Sequence, residues 1–165
     1  MSATGTIEMI QCVKESTGTD VAAFDALVNM LTQLPAVLPE AAAVTPAVQQ
    51  VPSLVATIDA ARSDPDSLYL TTVTAGDLDN AIWPRDDADS PTTVDLQAAQ
   101  SVRCNVAVDV DFSQNLSLWD QDSVSADDLL GSITMFESEQ GQGLITKLAL
   151  SQVEASAYYV TYHVD

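Results

Sequence analysis

Two strand-like segments separated by an acidic loop occupy the C-terminal half of this sequence. Residues 115–119 alternate polar and apolar side chains, and residues 131–136 resume a strand-like pattern, which is typical of half-buried strands. The loop between them places Asp120, Asp122 and Asp128 at fixed spacing. Carboxylates gathered in one loop repel one another unless a cation lies among them, and Ca²⁺ binds six to eight oxygen ligands. The pattern therefore predicts a strand–loop–strand unit that binds a hard divalent cation.

The acidic loop does not follow the EF-hand pattern. Counted from Asp120, the positions that need Gly and Glu in an EF-hand hold Ser125 and Gly131. An alternative without a metal is that Ser125, Asp127 and Asp128 cap a short turn, which is an ordinary use of Ser and Asp. Both interpretations remain open at the level of the sequence.

Three segments resemble parts of C2 domains. Leu118–Gly131 resembles the third calcium-binding loop, in which an aromatic residue precedes Asp-x-Asp and a third Asp precedes an apolar pair and Gly. Residues 63–70 resemble the Ser-Asp-Pro lead of the first loop, with two extra residues, and residues 157–164 are similar to the closing strand of Asp-rich, C2-like proteins of prokaryotes. The resemblance implies a C2-like β-sandwich with Ca²⁺ as its cofactor. The implied ligands are Asp64, Asp66, Asp120, Asp122 and Asp128.

Hydrophobic periodicity predicts about eight short strands and two helices. The strands are expected at 6–13, 68–73, 94–96, 102–112, 115–119, 132–136, 144–150 and 157–164. Apolar residues at spacings of three and four predict a helical hairpin at about 20–62, after the first strand. We therefore expect a mainly β protein, an antiparallel C2-like β-sandwich with an α-helical insertion, in a single domain over 1–165. Asp20, at the start of the insertion, is a further candidate ligand.

The charge balance restricts the partners of the chain. It carries 24 acidic and five basic residues, for a formal net charge of −19. Such a surface repels nucleic acid phosphates and anionic membranes, so we expect no nucleic acid partner and a membrane only if Ca²⁺ bridges to it. The two apolar-striped helices either pack on each other and on the β-core or contact a partner. As such a partner we expect a second copy of the chain or a larger protein assembly.

The sequence offers little for catalysis. His163 is the only histidine, it lies in the last predicted strand, and no phosphate-binding Gly motif is present. Paired carboxylates could serve a hydrolase, but the few aromatic residues of the chain do not suit a sugar-binding cleft. Cys12 and Cys104 belong to no metal-binding pair, and we expect buried free thiols. We therefore predict that the chain is not an enzyme.

The N-terminal segment has neither the basic start nor the apolar stretch of a secretory signal, and no run reaches membrane-spanning length. This indicates cytoplasmic synthesis, with or without export by a route that needs no cleaved signal, or a place in a particle.

The predicted function is that of a non-enzymatic, Ca²⁺-binding structural or interaction module. The alternative is a module that binds phospholipid membranes through Ca²⁺, with Ile82 and Trp83, or Val124, inserting into the lipid. In a competing interpretation, Trp83 folds back to cover the edge of the sandwich, as large aromatic side chains usually do.

Overall fold

The computed structural model describes residues 2–16, 65–123 and 125–165. The strands in these ranges are β1 Ala3–Lys14, β2 Asp66–Thr71, β3 Val94–Leu96, β4 Ser101–Val110, β5 Ser113–Asp120, β6 Asp128–Phe136, β7 Ile145–Ser151 and β8 Ser156–Val164. Short 3₁₀ helices cover Leu78–Asn80 and Glu137–Glu139. The mainly β prediction is confirmed. The described ranges contain no α-helix, and the hairpin predicted at about 20–62 lies outside them, as do Asp20, Asp64 and Val124.

The strands form two antiparallel sheets of four strands each. One sheet has the order β4-β1-β8-β7 and the other the order β3-β2-β5-β6. Each sheet buries one face against the other, the arrangement of a β-sandwich. None of the described helices has the length and apolar character needed to cross a membrane.

The core consists of the inward-facing residues of both sheets. Side chains that alternate along a strand place about every second residue on the core face, although register shifts interrupt the alternation in β1. The largest fully buried apolar residues of this cluster are Ile7, Ile10, Leu68, Leu70, Leu116, Leu118, Leu130, Tyr158 and Tyr162. Cys12 and Cys104 are buried in the same cluster as free thiols, as predicted. Burial raises the pKa of the Cys104 thiol to about 12, so it stays protonated at neutral pH.

Strands β6 and β7, one from each sheet, approach closely at Gly131. Gly131, in β6, has a φ of +141°, a conformation that L side chains rarely adopt. A Cβ atom there would lie 2.6 Å from the backbone nitrogen of Leu150 in β7. The glycine therefore allows the two backbones to approach along this seam, which we call the β6–β7 seam.

A loop covers the outer face of the second sheet. Tyr69 of β2 and Trp119 of β5 pack beneath it with Ala81. Ile82 and Trp83 pair through their backbones with Leu70, with N–H···O distances of 2.8 Å, and their half-buried side chains pack against the main core. This location agrees with the interpretation in which Trp83 folds back on the sandwich.

Chain direction brings several strand termini to one end of the sandwich. There β1 and β5 finish, while β2, β6 and β8 begin. We call this the acidic end and define it by Ser16, Asp66, the segment 120–128 and Glu154. At the other end, β6 finishes and β7 begins. We call it the Lys147 end and define it by Phe112, Phe136, Glu139, Lys147 and Tyr162.

Candidate metal site at the acidic end

Asp66 is a buried carboxylate at the first position of β2. Only 1% of its surface is exposed. The backbone N–H of Ser16, just beyond the end of β1, lies 3.1 Å from both carboxylate oxygens, and the Ser16 hydroxyl donates to Oδ1 at 2.7 Å. The hydroxyl of Tyr158, from β8, donates to Oδ2. Three strands are therefore tied together by one carboxylate, and both of its oxygens are engaged by protein donors.

Asp120 lies beside Asp66, at the last position of β5. Its Oδ1 accepts a hydrogen bond from the backbone N–H of Ser67 at 2.7 Å. Its Oδ2 lies 3.4 Å from the Ser16 hydroxyl oxygen. A hydroxyl has a single proton, and the shorter contact of Ser16 is with Asp66. The Oδ2 atom of Asp120 is thus the least engaged oxygen of the two carboxylates.

The environment of this pair raises the pKa of both acids. Burial raises the pKa of Asp66, although donors from Tyr158 and Ser16 oppose the change. Burial also raises the pKa of Asp120 to about 6, with the charge of Asp66, and less that of Asp122, acting in the same direction. A negative charge on either carboxylate disfavours a charge on the other, which is the usual cause of a raised pKa in a carboxylate pair.

The segment after Asp120 is held by hydrogen bonds within itself and to β2. Oδ1 of Asp127 accepts from the backbone N–H of Asp122 at 3.1 Å, and Oδ2 accepts from the Tyr69 hydroxyl at 2.5 Å. The Ser125 hydroxyl donates to Oδ2 of Asp122 at 2.9 Å. Ser125 and Asp127 therefore do stabilise a turn, as the interpretation without a metal proposes. Asp128 takes another place, because it opens β6 directly opposite Asp120.

The pKa values of two further acids are raised in part by the charges of neighbouring carboxylates. Burial raises the pKa of Asp128, followed by the charges of Asp122 and Asp127. Burial also raises the pKa of Glu154, in the turn between β7 and β8, followed by the charges of Asp128, Asp122 and Asp66. Each of these shifts has the sign expected for an excess of negative charge.

Lys14 is the cation that acts on this cluster among the described residues. Its charge lowers the pKa of Asp66, but as the smallest contribution. Its Nζ donates to the backbone carbonyl of Glu15 at 3.1 Å. One buried ammonium group therefore acts weakly on one carboxylate of the cluster, and the described part of the chain does not balance the charge of the acidic end.

The structure brings four of the six predicted ligands to one end of the sandwich: Asp66, Asp120, Asp122 and Asp128. Asp20 and Asp64 lie outside the described residues. Within those residues, no group of three or more His, Cys, Asp or Glu side chains is arranged to hold a metal ion. The carboxylates are thus collected as a concentration of charge, without a preformed ligand shell, and their role as ligands stays a prediction.

Sequence reasoning missed the residues that organise this end. Ser16, Tyr158 and Glu154 belong to segments far from the Asp120 loop in sequence. They meet it because the ends of β1 and β5 lie beside the starts of β2 and β8. Asp127 was weighed only as a turn residue, and its contact with Tyr69 depends on the pairing of β2 with β5. The Asp-rich composition of the loop was the one signal available for Asp127.

His163 lies on β8 away from the acidic end. Its Nδ1 is 3.2 Å from Oε1 of Glu8 and its Nε2 is 3.1 Å from Oδ2 of Asp165. These contacts fit the interpretation of His163 as an ordinary strand residue, and the absence of enzymatic activity stays a prediction.

Among solved structures, the chain has distant likenesses. No protein-family model and no curated protein sequence matches the chain. A structure of human GIVD cytosolic phospholipase A2 in complex with methyl gamma-linolenyl fluorophosphonate and terbium chloride is similar at a TM-score of 0.38 and 16% identity. Another structure of the same human enzyme is similar at a TM-score of 0.38 and 14% identity. The alignments cover 99% of this chain but only 17% and 16% of those chains. The sandwich assignment above depends on the strands of this chain alone.

Proposed function

We propose that the acidic end binds Ca²⁺ and that the chain is a non-enzymatic, calcium-binding structural or interaction module. The observation that carries this proposal is the pairing of Asp66 with Asp120, where burial and mutual repulsion raise the pKa of Asp120 to about 6. A bound divalent cation would replace repulsion with attraction for every carboxylate of the cluster. The resemblance of Leu118–Gly131 to a C2 calcium-binding loop supports the same conclusion.

The described side chains differ in how readily they could reach an ion. Oδ2 of Asp120 is weakly engaged, Asp122 and Asp128 are half-buried near the surface, and both oxygens of Asp66 already accept hydrogen bonds. We assign Asp120, Asp122 and Asp128 as direct ligands, with the loop closing around the ion. Asp66 is the ligand that would have to exchange protein donors for the metal. Asp64 and Asp20 stay predictions from the sequence.

The donor set favours calcium over other metals. The candidate ligands are carboxylate oxygens, which hard cations prefer, while Zn²⁺ and copper prefer thiolate and imidazole groups. Mg²⁺ requires near-ideal octahedral geometry, whereas Ca²⁺ accepts six to eight oxygens in flexible arrangements. The carboxylates of this loop are not arranged as a ligand shell. They therefore suit Ca²⁺, which accepts more varied geometry than Mg²⁺.

Calorimetric titration with Ca²⁺ tests the metal proposal. We expect saturable heat for the wild-type chain and its loss in Asp120→Ala combined with Asp122→Ala. The matched control is Asp109→Ala combined with Asp111→Ala, which removes two exposed carboxylates, one near the end of β4 and one in the turn that follows it. Equal heats in the wild type and the Asp120/Asp122 variant would place the site elsewhere.

The assembly role is tested separately. If Ca²⁺ neutralises the acidic end of a self-associating subunit, the sedimentation coefficient should increase with Ca²⁺ and return when chelator is added. The Asp120/Asp122 variant should sediment identically with and without Ca²⁺. An unchanged wild-type monomer under saturating Ca²⁺ would contradict self-association, although it would leave calcium binding intact.

The alternative, membrane binding through Ca²⁺, loses one of its proposed insertion elements. Ile82 and Trp83 pair with Leu70 and pack against the core, so they do not form a projecting wedge. Of the residues considered, Val124 is the remaining apolar candidate, and it lies outside the described residues. Sedimentation with anionic phosphatidylserine vesicles distinguishes the two functions, because chelator-reversible binding would support the membrane module and reject the assembly module.

A further inference from the structure

Arg103 has an unusual place in a chain with a net charge of −19. Among the described residues, the side-chain nitrogens of Arg85 and Lys147 lie within 3.3 Å and 2.6 Å of a carboxylate oxygen, and Lys14 donates to a backbone carbonyl. Arg103 is exposed on β4 and makes no ion pair or hydrogen bond through its guanidinium group in the described part of the chain. With respect to the described residues, this cation of an acidic protein is therefore available to a ligand.

Arg103 lines a concavity on the outer face of the first sheet. Arg103 of β4 lies opposite Met9 of β1, which lies opposite Thr161 of β8. These three residues form one row across neighbouring strands, and with Glu8 and Leu144 they line a cavity of about 390 Å³. This volume lies within the range of small-molecule sites, roughly 300–1,000 Å³.

The lining combines both signs of charge with apolar surface. Leu144 is 55% exposed and Met9 is half-buried, so both can contact a ligand. Glu8 contacts Nδ1 of His163 through Oε1, while its side chain stays 36% exposed. The Thr161 hydroxyl is 2.9 Å from that of Thr146. The cavity therefore presents a cationic side chain, an anionic side chain and an apolar surface.

We propose that this cavity binds a small apolar zwitterion, of which an apolar α-amino acid is the simplest example. Its carboxylate would pair with the Arg103 guanidinium, whose planar fork suits bidentate contact with a carboxylate. Its ammonium group would face Glu8, and its side chain would pack on Met9 and Leu144. A net-neutral ligand is favoured over a free anion because the overall charge of the protein repels anions. The cavity does not include residues of the acidic end, so this proposal is independent of calcium binding.

Titration of the full chain with L-leucine, followed by amide chemical shifts, tests the proposal. Shifts should be largest at residues 8–9, 103 and 161, and they should be the same with Ca²⁺ and with chelator. L-Leucinamide lacks the carboxylate and N-acetyl-L-leucine lacks the ammonium group, so each should bind at least about tenfold more weakly, a change of about 1.4 kcal/mol.

Variants separate the role of Arg103 from general charge. Arg103→Gln should weaken leucine binding by at least about tenfold, and Arg103→Lys should retain part of the affinity. Arg85→Gln, a control with the same change of charge in an exposed loop, should bind leucine like the wild type. The absence of leucine binding at tens of millimolar, or equal affinity in Arg103→Gln and the wild type, would overturn the proposal.

Discussion

At the two ends of the sandwich, the pKa values of carboxylates shift in opposite directions. At the Lys147 end, Glu139 accepts from Lys147 at 2.6 Å and from the Tyr162 hydroxyl at 2.7 Å. Burial alone would raise the pKa of Glu139, but these donors and the N–H of Phe136 lower it below its ordinary value. At the acidic end, burial and neighbouring negative charges raise the pKa of Asp120 to about 6.

The difference lies in the source of positive charge. Lys147 also donates to the backbone carbonyl of Thr134 at 2.5 Å, and its Nζ lies 4.9 Å from the centre of the Phe136 ring. The protein thus supplies a fixed cation to one end. At the other end, the described residues supply hydroxyl and N–H donors with one lysine that acts weakly. A cation bound from solution would stabilise the ionised carboxylates of the acidic end, as the charge of Lys147 stabilises that of Glu139.

The largest expected effect concerns the β6–β7 seam, which connects the two ends. Gly131→Ala would place a Cβ atom 2.6 Å from the nitrogen of Leu150 in a conformation with positive φ. We expect a loss of about 3 kcal/mol or more in the free energy of unfolding, because backbone atoms must move and the strain persists. Chemical denaturation measures it. Gly141→Ala is the control, because Gly141 also has a positive φ but an added Cβ atom would meet nothing within 4 Å. A loss below about 1 kcal/mol for Gly131→Ala would contradict the close approach.

Replacing Lys147 tests the end that carries its own cation. Lys147→Met keeps the length of the side chain but leaves the Glu139 carboxylate, 15% exposed, without its ionic partner. We expect a loss of about 2 kcal/mol in the free energy of unfolding, since an unpaired, largely buried charge costs several times an exposed one. Urea denaturation should show the same loss with and without Ca²⁺. If Ca²⁺ restored the stability of Lys147→Met, this result would contradict the claim that Ca²⁺ acts only at the acidic end.

Removing one charge from the acidic end should increase the free energy of unfolding, whereas the two changes above decrease it. Asp120→Asn retains an oxygen that can accept from the Ser67 N–H but removes the repulsion with Asp66. In chelator at pH 7, we expect a gain of about 1 kcal/mol in the free energy of unfolding, after allowing for solvent screening at this half-buried position. The same variant should gain no stability from Ca²⁺. Destabilisation in chelator would show that the Asp120 charge is already balanced.

The pH dependence of stability is the smallest expected effect. Asp120 has an ordinary pKa of 3.8 and a folded pKa of about 6, so the folded state binds more protons between these values. Stability must therefore rise as the pH falls from about 7 to about 5, by a few degrees in Tm. The lowered pKa of Glu139 acts the other way, because its contribution is lost only as the pH falls below its ordinary value of 4.5. Calorimetric melting in chelator at pH 7, 6 and 5 should show the rise, and Asp120→Asn should reduce it, with the raised pKa values of Asp66, Asp128 and Glu154 accounting for what remains.

Strand positions could be predicted because they depend on local patterns. Alternation placed a strand at 94–96, where β3 lies, and placed the last strand at 157–164, one residue short of β8. The sandwich followed from the number of strands. The boundaries of β6 were less accurate, because its first residues, Asp128 and Leu129, follow directly on acidic loop residues and carry no alternation of their own.

The acidic end could be predicted only in part. Local spacing identified Asp120, Asp122 and Asp128 as neighbours, but no local pattern reveals that Ser16 and Tyr158 close on Asp66. Those contacts span 50 and 92 residues along the chain and arise from strand order. The helical hairpin at about 20–62, with Asp20 and Asp64 at its borders, stays a prediction from periodicity.

Proton release on calcium binding tests the central claim most directly. At pH 6, Asp120 is about half protonated if its pKa is about 6, and a carboxylate must lose its proton to bind a metal. Titration calorimetry in buffers of different ionisation enthalpy should therefore detect release of about 0.5 proton per ion at pH 6 and nearly none at pH 7.5. Asp120→Asn should release none, and Asp109→Asn should match the wild type. Calcium binding without proton release at pH 6, or no calcium binding at either pH, would contradict the account.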